Sequence, residues 1–345
     1  MLPGPYLLHL GAATDALSIK TARGVLQWRP DSCVGQRRLA GCSVDLGLPE
    51  MDFVEAVRRG ARTLILGGAN AGGVLGEDLI EEALLAVAAG LNVASGLHQR
   101  LADQPKLAQA AARADLRLFD LRSPPADLRV GNGAPRAGLR LLTVGTDCSV
   151  GKMYASLALE RGLRDAGLTA DFRATGQTGI LIAGDGAPVD AVVADFISGA
   201  VERISPARTD GGWDIIEGQG SLFHPSYAGV SLGLLHGAQP DAIVLCHEPG
   251  RRHMRGLPGR SLPDISSCLA ANLEAARLTN PGVQAVGLAL NTSGLDAAAR
   301  GEAIRAAERE TGLPCVDPLI HGVAPIIDRL LECFRPSPAR QTVGA

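Results

Sequence analysis

At 345 residues the chain is longer than one hydrophobic core usually serves and suits two α/β domains. A composition of 46% hydrophobic and 20% charged residues excludes a disordered polymer, and a net charge of −3 supplies no electrostatic footprint for nucleic acid or an anionic membrane. Cys33, Cys42, Cys148, Cys246, Cys268, Cys315 and Cys333 form no C-x-x-C pair, which excludes a zinc ribbon and points to reduced thiols. The opening Met1-Leu2-Pro3-Gly4-Pro5 lacks the charged and apolar regions of a signal peptide, and no apolar stretch reaches the ~18 residues of a membrane span. A soluble, cytoplasmic protein is expected.

In chain order, Tyr6–Leu10, Thr63–Leu66, Leu91–Ala94 and Leu116–Phe119 read as buried strands. Between them, Met51–Arg59, Asp78–Ala89 and Gln99–Arg113 carry the apolar spacing of helices, so the first part reads as a covered parallel sheet. Proline and glycine cluster over Ser123–Gly138, which marks the linker and divides the chain into domains at 1–130 and 138–345. The second part restarts with strands at Leu139–Val144, Thr169–Arg173, Ala191–Phe196, Asp214–Ile216, Ala242–Cys246 and Val283–Leu290, and with a helix over Met153–Ala166. The fold class is α/β with doubly wound parallel sheets, and the tail after Arg335 reads as frayed. With only 3% aromatics and 43 glycines, the core is expected to be Ala, Val, Leu and Ile, joined by tight strand-to-helix turns.

Between the 139–144 strand and the 153–166 helix lies Gly145-Thr146-Asp147-Cys148-Ser149-Val150-Gly151-Lys152. Strand, glycine-rich loop, Gly-Lys and helix together are the context of a phosphate-binding loop, with backbone amides converging on an anion and Lys152 adding charge. The loop is one residue longer than G-x-x-x-x-G-K and is similar to that of dethiobiotin synthetase. Met153 stands where such enzymes carry Thr or Ser; a thioether does not replace the hydroxyl that ligates Mg²⁺. The loop thus suits the phosphate of a carrier such as coenzyme A, with no metal expected. Cys148 inside it invites a nucleophile reading, but no histidine is adjacent in sequence.

Two further clusters follow strands. Arg173-Ala174-Thr175-Gly176-Gln177-Thr178-Gly179 offers Thr175, Gln177 and Thr178 to a polar ligand and Arg173 as a carboxylate clamp. Glu217-Gly218-Gln219-Gly220-Ser221-Leu222-Phe223-His224 joins two proton acceptors, Glu217 and His224, to Gln219 and Ser221, which are assigned to substrate. Asp195 is a candidate acid, Asn291–Ser293 a candidate crevice lining, and Arg251–Arg255 a basic stretch that would suit a phosphate. In the first part, Lys20-Thr21 and Gly67–Gly73 are the polar spots, without the glycine fingerprint of a dinucleotide site.

With these residues in view, the chain resembles the D-glutamate N-acetyltransferase family, long catalogued as a domain of unknown function. The likeness rests on Lys20-Thr21-Ala22, Ser95-Gly96-Leu97-His98, Gly145–Met153, Ala174–Ile180 and Glu217–Pro225, and spans nearly the whole chain. It implies a Rossmann-like N-terminal domain, a P-loop NTPase-like C-terminal domain, and acetyl transfer from acetyl-CoA to the amine of D-glutamate. On that reading Gly145–Met153 hold the cofactor, Arg173 or a basic neighbour holds a substrate carboxylate, and Glu217 or His224 removes the amine proton. Rivals are an ATP/Mg²⁺-dependent ligase or kinase resembling dethiobiotin synthetase, with Glu217 on the metal, and a non-enzymatic nucleotide sensor. The partner is a small molecule, and a homo-oligomer is the default expectation.

Overall fold

The structure, a computed structural model, describes residues 2–15, 18–68 and 74–334. Ala69–Gly73 of the early glycine turn and the tail from Arg335 lie outside the described residues. The chain forms two compact units: Met1–Ala126 with Gly176–Ala191, and Asp127–Thr175 with Val192–Ala345.

The first unit begins β1 (Tyr6–Gly11), α1 (Lys20–Trp28), β2 (Cys33–Arg38), α2 (Phe53–Arg58) and β3 (Thr63–Leu66). It continues α3 (Glu77–Ala88), β4 (Asn92–Ser95), α4 (Pro105–Arg113) and β5 (Leu118–Asp120). All pairings are parallel, in the order β2-β1-β3-β4-β5. Leu7, Leu64, Val93, Leu101 and Leu107 are fully buried in its core. Strands buried along almost their whole length, with long apolar runs, are covered on both faces, which explains why β1 and β3 read so clearly in the sequence.

The chain then runs β6 (Leu139–Gly145), α5 (Lys152–Asp165) and β7 (Ala170–Arg173), and contributes α6 (Gln177–Ala183) to the first unit. It resumes the second unit with α7 (Ile197–Ile204), β8 (Trp213–Ile216), α8 (Ala228–Ala238), β9 (Ala242–His247) and α9 (Ile265–Arg277). The last elements are β10 (Gln284–Leu290), α10 (Ala297–Thr311), β11 (Cys315–Val316) and α11 (Ala324–Cys333). Its six-stranded parallel sheet has the order β11-β10-β9-β6-β8-β7. β6 lies between β8 and β9, so connections leave it toward opposite edges, and loops at its carboxyl end open into a crevice of the kind where ligands bind.

The expected strand at Ala191–Phe196 is corrected: two short 3-10 turns, Val189–Ala191 and Ala194–Phe196, lead into α7. The apolar run deceived because Val193 is 68% exposed rather than half of a buried pair. Asp190 pairs with Arg122, and Asp195 is exposed on a turn rather than placed at a strand end. β2 escaped notice because Gln36, Arg37 and Arg38 make an edge strand polar.

Each unit holds a buried charge cluster away from the phosphate loop. In the first, His9 Nε2 bonds Glu82 at 3.1 Å and Arg37 Nη2 donates to Glu82 Oε1 at 2.8 Å. Burial alone would raise the Glu82 carboxyl, but the Arg37 and His9 hydrogen bonds hold it at about 2. In the second, the fully buried Asp214 accepts from Arg173 Nε and Arg208 Nη1, both at 2.8 Å, and from Ser205 Oγ at 3.0 Å.

A carboxyl held below its ordinary value stabilises the fold above that value and ceases to do so as pH falls through the folded one. Wild-type stability, followed by denaturant unfolding, should therefore fall between pH 4.5 and about 2 more steeply than that of Glu82→Gln. Asp214→Ala leaves two guanidinium groups without their shared buried partner, with only the more exposed Asp171 still between them, and should cost about 3 kcal/mol of unfolding free energy; a loss under about 1 kcal/mol would show that the cluster is dispensable.

Candidate active site

Glycine at 145 ends β6, and the loop it opens is bound from behind and from above. Thr146 N donates to Cys246 O at 3.1 Å, and Thr146 Oγ1 bonds His247 Nδ1 at 2.9 Å. The Asp147 carboxylate is wholly buried: Oδ1 accepts from Cys148 N at 2.7 Å, and Oδ2 from Arg251 Nη1 and Arg255 N, each at 2.8 Å. Ser149 takes φ +55° and Gly151 φ +98°, and the latter caps α5. A left-handed residue at that cap is why glycine precedes the lysine. Val150 is buried, Met153 is half-buried in the first turn of α5, and Asn291 lies beside Gly151.

Lys152 is almost fully buried, and its ammonium donates to Asp147 O at 2.7 Å and Gly220 O at 2.8 Å. Burial lowers its pKa. The second carbonyl comes from the loop after β8, so one lysine ties two loops together. Glycine is required there: a Cβ on Gly218 would lie 1.7 Å from Thr143 O.

The loop after β8 forms two networks. Glu217 Oε2 accepts from Thr175 N at 2.9 Å, Thr175 Oγ1 donates to Glu217 O at 2.6 Å, and Gln219 Nε2 donates to Thr175 Oγ1 at 3.2 Å. Glu217 and Thr175 are buried. Ser221 Oγ donates to Thr146 O at 3.1 Å, joining the second network to the phosphate loop. His224, 2% exposed, accepts from Ser226 N at Nδ1 (3.2 Å) and so donates from Nε2 to Arg255 O (3.0 Å).

The loop after β9 supplies what sequence reading left as a basic stretch. Arg251 Nη1 donates to Cys148 O at 2.7 Å besides Asp147, and Nη2 donates to Ser149 O at 3.1 Å and pairs with Glu248. Arg255 donates to Ser149 Oγ. His247, unpredicted as a site residue, is pushed down to about 4 by burial and then by the Arg251 charge. Its position after an apolar strand, among the same loops, was the available signal.

Gathered around the phosphate loop are therefore Gly145–Met153, Ser221 and His224, with Thr175, Glu217 and Gln219 linked to the same β8 loop. Arg173 belongs instead to the Asp214 cluster, its guanidinium bonded to Asp214 and Asp171. Gln177 and Thr178 lie on α6 in the first unit, where Thr178 Oγ1 is 3.4 Å from Thr21 Oγ1 and a Cβ on Gly96 would strike Gln177 Oε1. Three sequence motifs, Lys20–Ala22, Ser95–His98 and Ala174–Ile180, thus supply residues that meet within that unit. Thr292 is buried on Asp317 at the end of β10.

Among the described residues, Asp147, Cys148 and His224 form one group whose donor atoms lie within 4.8 Å of one another. A cation there would meet Lys152 and Arg251 nearby and an Asp147 carboxylate already committed to three donors. The electrostatics suit an anion. No described helix is long and apolar enough to cross a membrane.

A histidine whose folded pKa is lowered favours the fold while neutral, and loses that advantage as pH falls from its ordinary 6.5 toward about 4. The His247 ring resonances should accordingly show no titration above pH 5.5 by NMR; a midpoint near 6.5 would place the ring in solvent. Arg251→Ala, which strands the Asp147 carboxylate, should destabilise by about 3 kcal/mol in urea unfolding.

Comparison with known proteins places the chain. A family model described as "Domain of unknown function (DUF1611_C) P-loop domain" matches residues 129–327, and its companion "(DUF1611_N) Rossmann-like domain" matches residues 37–124. A D-glutamate N-acetyltransferase of Pseudoalteromonas sp is 49% identical over 94% of this chain and 98% of its own. One of Tritonibacter scottomollicae is 47% identical over 96% and 99%. A crystal structure of a DUF1611 family protein from Anabaena variabilis superposes with a TM-score of 0.86 at 32% identity, covering 96% of this chain and all of that one. The chain is thus an enzyme of the DUF1611 family, with a Rossmann-like N-terminal and a P-loop C-terminal domain, and belongs with the D-glutamate N-acetyltransferases.

Proposed function

We propose that this protein transfers the acetyl group of acetyl-CoA to the amine of D-glutamate. The carrying observation is the anion-seeking loop Gly145–Lys152 bonded directly to a loop that bears Glu217 and His224, with Met153 in place of a metal-binding hydroxyl. Backbone amides at the start of α5, Lys152 and Arg255 offer a diphosphate or phosphate the charge it needs without a divalent cation. The acyl donor supplies the activated thioester; the chain supplies grip, orientation and proton transfer.

His224 suits the proton-accepting role. Its Nε2–H is tied to Arg255 O, which fixes the tautomer with Nδ1 as the basic nitrogen; Nδ1 accepts from Ser226 N at 3.2 Å and gives up that bond when it takes a proton. Glu217, buried beside Thr175 and Gln219, is the second candidate to receive the ammonium. Of the three charges of glutamate, the two carboxylates call for a basic partner such as Arg255 and the ammonium for a carboxylate such as Glu217.

Purified protein given acetyl-CoA and D-glutamate should release free thiol at a rate unaffected by EDTA, and His224→Ala should lower kcat by about 10²- to 10⁴-fold. No thiol release with D-glutamate, or ADP formation from ATP and Mg²⁺ with a small carboxylate, would replace this reading with the ligase one.

A further inference from the structure

Cys148 sits at the centre of the phosphate loop, and the fold supplies the histidine that its sequence neighbourhood lacks. Its thiol, the Asp147 carboxylate and a ring nitrogen of His224 lie within 4.8 Å of one another, though His224 is far along the chain. Both sides of the Cys148 peptide are pinned: the amide donates to Asp147 Oδ1 at 2.7 Å, and the carbonyl accepts from Arg251 Nη1 at 2.7 Å. The residue is half-buried, and so reachable, whereas Cys246, Cys268 and Cys315 are buried. Holding a phosphate explains the backbone amides, glycines and Lys152, but gives no reason for a thiol among them.

We propose that Cys148 is the nucleophile of a two-step transfer in which the enzyme itself carries the acetyl group as a thioester, with His224 as its base. This rests on the acetyl-transfer reading above and deepens it. Burial raises the Cys148 pKa, against the pull of Lys152, Arg255 and Arg251, so the thiol needs a base to take its proton. The Arg255 carbonyl holds His224 Nε2–H as an orienting group, so the nitrogen that takes the thiol proton is Nδ1, which must exchange its 3.2 Å bond from Ser226 N for the thiol. A separation looser than a hydrogen bond is ordinary for a nucleophile and base before substrate binds.

The atoms balance without any further reactant. His224 accepts the Cys148 proton; the sulfur bonds to the acetyl carbonyl carbon, the bond from that carbon to the coenzyme sulfur breaks, and the coenzyme leaves as a thiol with the proton from His224. The amine of the amino acid then bonds to the same carbon, the Cys148 S–C bond breaks, and the amine proton passes through His224 to the Cys148 sulfur. Exchange of one thioester for another is close to thermoneutral, so the enzyme-bound acetyl group stays activated for the amine.

The test uses the full chain with acetyl-CoA and no amino acid. Intact-mass spectrometry should show one acetyl group added, mapping to Cys148 and removed by neutral hydroxylamine or by D-glutamate. Isotopically labelled coenzyme A should exchange into acetyl-CoA under the same conditions, and Cys148→Ala should abolish exchange and lower kcat by about 10³-fold or more. Turnover of D-glutamate by the wild type without exchange or adduct, or with Cys148→Ala retaining kcat within a few-fold, overturns the thioester while leaving acetyl transfer intact. Should Cys148→Ala fail to fold, the wild-type exchange decides alone. Adduct and exchange without D-glutamate turnover would uphold Cys148 and overturn only the choice of acceptor.

Discussion

Everything at the candidate site hangs on one buried carboxylate. Asp147 has no access to solvent, and its three donors come from its own loop and from the loop after β9. An ionised group so placed is tolerable only when its acceptor positions are filled, so the bonds are mutually obligatory. They set the course of the phosphate loop, the place of Arg251, and the Arg255 carbonyl that orients His224. Replacement by Asn or Ser would keep some hydrogen bonds but lose the charge that draws the arginine-bearing loop after β9 inward.

Lysine at 152 does the complementary task from beneath. By capping Asp147 O and Gly220 O, it joins the loop after β6 to the loop after β8. The sheet order makes this union available: β6 is flanked by β8 and β9, and parallel strands deliver all three of the following loops to one edge. A phosphate arriving at the amides of α5 would meet an ammonium already held close by backbone carbonyls, so little ordering remains to be done on binding. On the proposed reading that arrangement grips a phosphate rather than transferring it, with Met153 where a metal-binding hydroxyl would stand.

Legibility in the sequence followed burial. β1, β3, β6 and β9 are buried along almost their whole length and rich in apolar residues, whereas β2 hides among Gln36, Arg37 and Arg38, and the Ala191–Phe196 run mimics a strand while Val193 faces water. The phosphate loop was readable because its chemistry is local: glycines, lysine and helix start all lie within nine residues, Gly145 to Met153. The tie of Arg173 to Asp214 could not be read from its neighbours, because that acid is on the adjoining strand.

The sequence by itself determined the α/β class, the phosphate loop with its missing metal-binding hydroxyl, and the clusters carrying Glu217 and His224. Those follow from local composition and from periods of two and 3.6 residues, which need no knowledge of distant contacts. Only the tertiary structure decided which groups meet: Arg251 with Asp147, Lys152 with Gly220, His224 with Cys148, and Gln177 with Gly96. Those partners lie on separate loops or elements, and strand order and sheet register, rather than spacing along the chain, bring them together.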